Sequence, residues 1–105
     1  MKTFTQRVYE IATQIPKGKV STYKQLALLA GSPKAVRAVG AAMRNNPDTT
    51  VVPCHRVLAS DGTMHGYSAG EGIPTKIHKL EEEGVKVVNG KVDLNIFLWK
   101  QSPQK

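Results

Sequence analysis

Cys54 is the only cysteine in a chain of 105 residues, and it stands between Pro53 and the pair His55-Arg56. Cationic neighbours lower a thiol's pKa and raise its thiolate fraction. Sulfur is a soft nucleophile, suited to attack on saturated carbon. Adjacency in sequence does not by itself place His55 or Arg56 against the sulfur, and a lone cytosolic cysteine is more often buried and inert. Both outcomes stay open on these residues alone. A single cysteine excludes an intramolecular disulfide and a thiol-rich zinc site. His55, His65 and His78 lack metal-ligand spacing, so no metal is expected.

The chain carries 15 Lys and Arg against 8 Asp and Glu, for a net charge of +7 and a pI near 9.8. That excess points to an anionic partner, nucleic acid first, although a soluble domain merely rich in lysine would show it too. Hydrophobic residues at 40% and charged residues at 22% exclude a wholly disordered chain. The length fits one domain with one modest core. No apolar run approaches the ~20 residues of a membrane span. Gln6, Arg7 and Glu10 interrupt the N-terminus, so no signal peptide is visible. A cytoplasmic protein without a membrane partner is the default expectation.

A reactive cysteine needs a scaffold, and the hydrophobic pattern supplies one. Phe4, Val8, Ile11, Ala12 and Ile15 recur at helical spacing behind a Thr3/Gln6 capping box, and Pro16-Lys17-Gly18 ends that helix. Thr22 and Gln25 form a second box that opens a helix from Tyr23 to Ala30, stopped by Gly31. Ser32 as cap and Pro33 in the first position predict a further helix reaching about Arg44. Two short helices about a glycine turn make a helix-turn-helix pattern, which many small α domains share.

On a wheel at about 100° per residue, Val36, Val39, Gly40 and Met43 fall on the side that buries. Lys34, Ala38, Ala41 and Asn45 fall opposite, edged by Arg37 and Arg44. A solvated helix usually displays Glu and Lys pairs. Small side chains bordered by cations suit close approach to a polyanion; alanine's helix propensity is the plainer explanation. Further on, Asn45–Asp48 and Ser60–Gly62 read as turns, and Met64–Gly72 as a glycine-rich loop. Pro74 to Glu83 reads as a charged helix closed by Gly84, and Val85–Leu94 as a hairpin around Asn89-Gly90. The expected fold is α/β, mainly helical: a small winged-helix-like domain over residues 1–100 with a helix-turn-helix and a short C-terminal β-hairpin. A polar tail, 101–105, follows it.

The segment Val51-Val52-Pro53-Cys54-His55-Arg56-Val57 resembles the PCHRV active-site motif of the O6-alkylguanine-DNA alkyltransferases, the methylated-DNA–protein-cysteine methyltransferase family. Gly18 to Tyr23 and Ala30 to Gly40 resemble that family's helix-turn-helix. Asn46, followed by Pro47, stands eight residues before the cysteine, as it does there. Gly66-Tyr67-Ser68-Ala69-Gly70 resembles the substrate-pocket loop, and Leu80 to Gly84 the leucine-containing segment ending in Glu-Gly. Collinear motifs cover roughly residues 4–99, and PCHRV in that order is highly specific.

The resemblance implies irreversible, single-turnover transfer of an alkyl group from O6-alkylguanine in DNA to Cys54, by a monomer that needs no cofactor. It makes His55 the base, acting through a water, with Glu83 orienting it. Asn46 becomes the hinge between the recognition helix and the active-site loop. Tyr23 would rotate the target phosphate and donate a proton toward the purine, and Arg37 would fill the gap left by the flipped base. Tyr67, Ser68, Val52 and Pro53 would line the guanine pocket. Contact with double-stranded DNA, through the minor groove, would come from Tyr23, Ser32, Lys34, Ala35, Arg37, Ala38, Ala41 and Arg44.

Full-length members usually carry an N-terminal domain, which is expected to be absent here. The family's pocket loop is often Asn-Tyr-Ser-Gly-Gly, where this chain has Gly66 and Ala69. The chain also resembles the short alkyltransferase-like proteins, which bind alkylated guanine, transfer nothing and recruit nucleotide excision repair. Those often place Trp where Cys54 stands. Ser68 to Glu71, Leu80 to Val85 and Leu98-Trp99-Lys100 lean toward that branch, and Cys54 toward the transferases. A third reading, a transcription regulator in the major groove, is disfavoured by the outward alanines, which offer base edges little hydrogen bonding.

Overall fold

The computed structural model describes residues 3–46, 48, 51–64 and 72–100. The helices are α1 (Phe4–Ala12), α2 (Tyr23–Leu29), α3 (Val36–Arg44), α4 (Ile73–Glu82) and α5 (Leu94–Phe97), with a 3₁₀ turn at Cys54–Arg56. The strands are short: β1 (Ser21–Thr22), β2 (Val57–Leu58), β3 (Val87–Val88) and β4 (Lys91–Val92). β1 and β2 pair in parallel, Ser21 against Val57 and Thr22 against Leu58, and Val20 bridges to Leu98. β3 and β4 form the antiparallel wing.

The capping box of α1 is complete: Gln6 N–H donates to Thr3 Oγ1 at 3.1 Å and Thr3 N–H to Gln6 Oε1 at 2.9 Å. At α2 only half of the expected box forms. Gln25 N–H donates to Thr22 Oγ1 at 2.9 Å, but the Gln25 side chain turns elsewhere. It accepts from Ser21 Oγ and donates to the Trp99 carbonyl, a long-range tie to the C-terminal segment that outcompetes the local bond.

α3 begins at Val36, not at Pro33. The Ser32 carbonyl accepts from Ala35 N–H in a separate turn, and Ala35 becomes the N-cap without a side-chain bond, so Ser32 does not cap the helix. The buried stripe of α3 is Val39, Ala42 and Met43, whereas Val36 is exposed and Gly40 half-buried. The stripe is rotated toward Ala42 because α1 covers that side; Tyr9 Oη donates to the Ala42 carbonyl at 2.7 Å.

The wing turn carries Asn89 at φ 53° and Gly90 at φ 74°, the two left-handed residues a tight two-residue hairpin requires. The hairpin is shorter than expected, because Asp93 caps α5 by accepting from Asn95 N–H at 2.9 Å. β2 alternates its faces, as a strand must. Val57 joins a cluster with Val8, Ala12, Ile15, Leu26, Val39, Met43 and Cys54. Leu58 joins a second cluster with Val20, Leu80, Val85 and Val92 beneath the wing. The cysteine thus sits where the helical core meets the paired strands. No described helix is long and apolar enough to cross a membrane.

Candidate active site

Proline shapes the chain at the cysteine. Pro53 has φ −79° and ψ 70°, and Cys54 N–H donates to the Val52 carbonyl at 2.8 Å, an inverse γ-turn. Arg56 N–H then donates to the Pro53 carbonyl at 2.9 Å, which winds Cys54–Arg56 into one 3₁₀ turn. Val52, Pro53, Cys54 and His55 are all buried, and Cys54 is 6% exposed. Asn46, just past α3, donates through Nδ2 to the Val52 carbonyl at 2.7 Å and accepts through Oδ1 from Asp48 N–H at 3.0 Å.

His55 Nε2 lies 3.0 Å from Glu83 Oε2. Burial pushes the His55 ring below its ordinary pKa; Glu83 opposes this, while the charges of Arg56 and Lys79 reinforce it. For Glu83, burial pulls upward, but hydrogen bonds and charge from Arg56 and His55 outweigh it and hold the carboxyl below its ordinary range. An ionised Glu83 facing Nε2 selects the tautomer with the proton on Nε2. Nδ1 is then the acceptor, and it is buried without a hydrogen bond to any described residue. A neutral imidazole with a free Nδ1 lone pair, on the residue next to the cysteine in the chain, is able to act as a base.

Sequence reasoning missed Lys76. It lies on α4, 1% exposed, with Nζ donating to the Val57 carbonyl at 2.8 Å and lying 5.9 Å from the centre of the Tyr23 ring. Burial pulls its pKa down to about 8, against the charge of the Cys54 thiolate, which favours the ammonium. Burial, with the Cys54 charge adding to it, raises Tyr23, while Arg44 pulls it back. The thiol, the phenol and the ammonium therefore share one electrostatic neighbourhood. A lysine within an amphipathic, charged helix carries little sequence signal of burial; its place four residues before Leu80 was the sole hint.

Arg37, Ala38, Ala41 and Arg44 share the exposed face of α3, and Lys34 is exposed in the turn before it. Ser32 and Ala35 are half-buried at the start of that turn and helix. Tyr67 and Ser68, read from sequence as pocket residues, lie outside the described residues. A cleft of about 370 Å³ opens beside the histidine, lined by Lys17, Val51, Pro53, His55, Arg56, Lys79, Glu82 and Glu83. A cavity of about 600 Å³ between the wing and α5 contains none of the site residues in its lining. Among the described residues, no group of three or more His, Cys, Asp or Glu could hold a metal ion.

A small winged helix-turn-helix domain with one buried thiol backed by a histidine–carboxylate pair is the class that fold and site define. Residues 3–85 match the family described as 6-O-methylguanine DNA methyltransferase, DNA binding domain, and the chain belongs to that family. It is similar to the methylated-DNA–protein-cysteine methyltransferase of Homo sapiens, 49% identical over 84 residues, which are 79% of this chain and 40% of that protein. It is 39% identical over 105 residues to alkyltransferase-like protein 1 of Schizosaccharomyces pombe, covering 95% of this chain and 97% of that one. The crystal structure of S. pombe Atl1 in complex with damaged DNA containing O6-carboxymethylguanine matches with a TM-score of 0.85 at 37% identity, over 96% of this chain and 100% of that one. The chain spans about half the length of methyltransferase relatives, 52%, 40% and 47% of three of them. The family is one of O6-alkylguanine DNA repair proteins and includes both methyltransferases and alkyltransferase-like proteins.

Proposed function

We propose that the protein binds double-stranded DNA through α3 and repairs O6-alkylguanine by moving the alkyl group onto Cys54 Sγ in one irreversible turnover. The observation that carries this reading is the buried Cys54 beside a neutral His55 whose Nε2 is held by Glu83. The target base must leave the stack, at a cost of a few kcal/mol. Arg37, exposed on α3, is placed to fill the space it vacates. The thiol proton passes to His55 Nδ1, directly or through a water. The thiolate then attacks the alkyl carbon, an S–C bond forms, the C–O6 bond breaks, and the electron pair goes to the purine. Tyr23 Oη donates the proton that makes guanine a neutral leaving group, and Lys76 stabilises the negative charge at Cys54 and at the tyrosine. No route regenerates the thiol, so one protein removes one lesion.

Intact mass before and after incubation with an O6-methylguanine duplex tests this. A stoichiometric gain of one methyl group, mapped to Cys54 and lost in Cys54→Ser, is the expected outcome. The nearly full-length match to alkyltransferase-like protein 1 favours a second reading, a lesion sensor that recruits excision repair. Tight lesion binding with Cys54 still unmodified after long incubation selects it.

A further inference from the structure

Arg56 takes both oxygens of Glu83. Nε donates to Oε1 at 2.8 Å and Nη2 to Oε2 at 2.6 Å, the fork geometry that only arginine offers. Its remaining arm, Nη1, donates to the Ile15 carbonyl at 2.7 Å, just beyond α1. One guanidinium therefore joins the end of α1, the end of α4 and the turn that carries Cys54 and His55. Glu83 is the C-cap residue just past α4, where a long side chain has many rotamers to choose from.

We propose that Arg56 is a positioning residue of the transfer centre: by gripping both Glu83 oxygens it fixes the carboxylate against His55 Nε2 and keeps the imidazole a base with its lone pair on Nδ1. A carboxylate facing an imidazole alone favours the imidazolium, which cannot accept the thiol proton. With arginine on the far side, the Arg–Glu–His set carries no net charge. The groups around His55 are Arg56 and the chain neighbour Cys54 from its own turn, Lys79, Glu82 and Glu83 from the α4 end, and Lys17 from the segment after α1. Removing Arg56 takes one cation from that set and leaves both carboxylates.

The kinetic part of this inference rests on the transfer reading; the test has an arm that does not. Arg56→Gln and Arg56→Lys are made in the full chain. The ring ¹⁵N shifts of His55 are followed from about pH 5 to about pH 9, and single-turnover methyl transfer is followed by mass over the same range. In Arg56→Gln the His55 titration moves upward and the acid limb of transfer moves with it. The variant is about tenfold slower than wild type near pH 6 and converges on it above about pH 8. Arg56→Lys keeps the charge without the fork, so its titration stays close to wild type while the single Nε2–H tautomer is lost. An unmoved His55 titration in Arg56→Gln overturns the proposal, as does a loss of rate uniform across pH that follows only a lower melting temperature. If the wild type transfers nothing, the ring titration decides by itself. Should Arg56→Gln fail to fold, the tautomer of His55 in Arg56→Lys decides, and an unchanged tautomer there counts against the clamp.

Discussion

Asn46 Nδ2 and Cys54 N–H donate to the same acceptor, the Val52 carbonyl, at 2.7 and 2.8 Å. A residue just past α3 and the buried cysteine thus share one oxygen. A tilt of α3, the helix that carries Arg37, is expected to reach the γ-turn at Pro53 through that oxygen. The coupling needs no moving loop, only two hydrogen bonds on one carbonyl.

Asn46→Ala removes the bond to Val52 and the bond from Asp48 N–H together. The carbonyl of buried Val52 keeps its bond from Cys54 N–H, so losing the Asn46 donor costs about 0.5–1.5 kcal/mol. For a domain of this size that lowers the melting temperature by roughly 4–8 °C per kcal/mol. Binding to an undamaged duplex, carried by α3, should change little, while methyl transfer slows. A thermal melt and a mass-based transfer assay on the same variant check both halves; equal losses in binding and transfer would contradict the coupling.

Lys76 makes a prediction in pH alone. Its folded pKa, about 8, lies below the usual 10.5, so between those values the unfolded chain binds the additional proton. Stability therefore rises with pH across that window, and the burial penalty is fully present below about pH 8. The difference corresponds to about 3 kcal/mol as an order of magnitude. Lys76→Met should remove this slope and raise stability at neutral pH, while slowing transfer by loss of the charge near Cys54. Chemical melts at several pH values between neutral and about pH 10 read the slope; an identical slope in both proteins would sink the assignment.

The helical scaffold was legible because its signals are local. The Thr3/Gln6 box, Gly31 after α2 and Asn89-Gly90 in the wing each act within a few residues of where they stand. The pairing of His55 with Glu83 followed from the resemblance carried by PCHRV and the Glu-Gly segment, whereas the 3₁₀ turn at Cys54–Arg56 was not foreseen. What stayed hidden depended on distant partners. Gln25 gave up its capping bond for Trp99, 74 positions away in sequence. Ala42 is buried on the side where α1 packs against α3 and Tyr9 reaches its carbonyl, which no helical wheel of α3 contains. The parallel pair β1–β2 is two residues long per strand and too short for any alternation to register. Lys76 reads as a solvated lysine until α4 is laid across β2 and Tyr23.

Gly62 fastens the turn after β2 to the wing. Its φ is 88°, and a Cβ there would lie 2.4 Å from the Val92 carbonyl oxygen. Val92 N–H in turn donates to the Gly62 carbonyl at 2.9 Å. Gly62→Ala meets backbone on one side and a left-handed conformation on the other, and neither can give way cheaply. The expected cost is about 2 kcal/mol or more. Gly31→Ala is the control, since a Cβ there meets nothing within 4 Å although φ is 87°; its cost is that of conformation alone, about 1 kcal/mol. Equal melting temperatures for the two variants would mean that the wing does not press on this turn.

Arg37 is expected to separate finding DNA from opening it. It is exposed on α3 and makes no ion pair with any described residue, so its removal leaves no orphaned partner in the fold. Its melting temperature should match the wild type. As one cation among several on this face, it contributes modestly to undamaged duplex, and Arg37→Ala should lower the salt slope of binding by about one and the affinity only a few fold. If the guanidinium occupies the gap left by a flipped base, its larger contribution comes only after the base has turned out, where it offsets unstacking worth a few kcal/mol. Transfer at saturating lesion duplex should then fall by about tenfold to a hundredfold. Lys34→Ala supplies the contrast: exposed in the turn before α3, it should weaken damaged and undamaged duplex alike and leave transfer at saturation unchanged. Measuring both variants for affinity, salt dependence and single-turnover rate distinguishes the two roles. An Arg37→Ala protein that loses affinity as Lys34→Ala does, but transfers at the wild-type rate once bound, would reduce Arg37 to another phosphate contact.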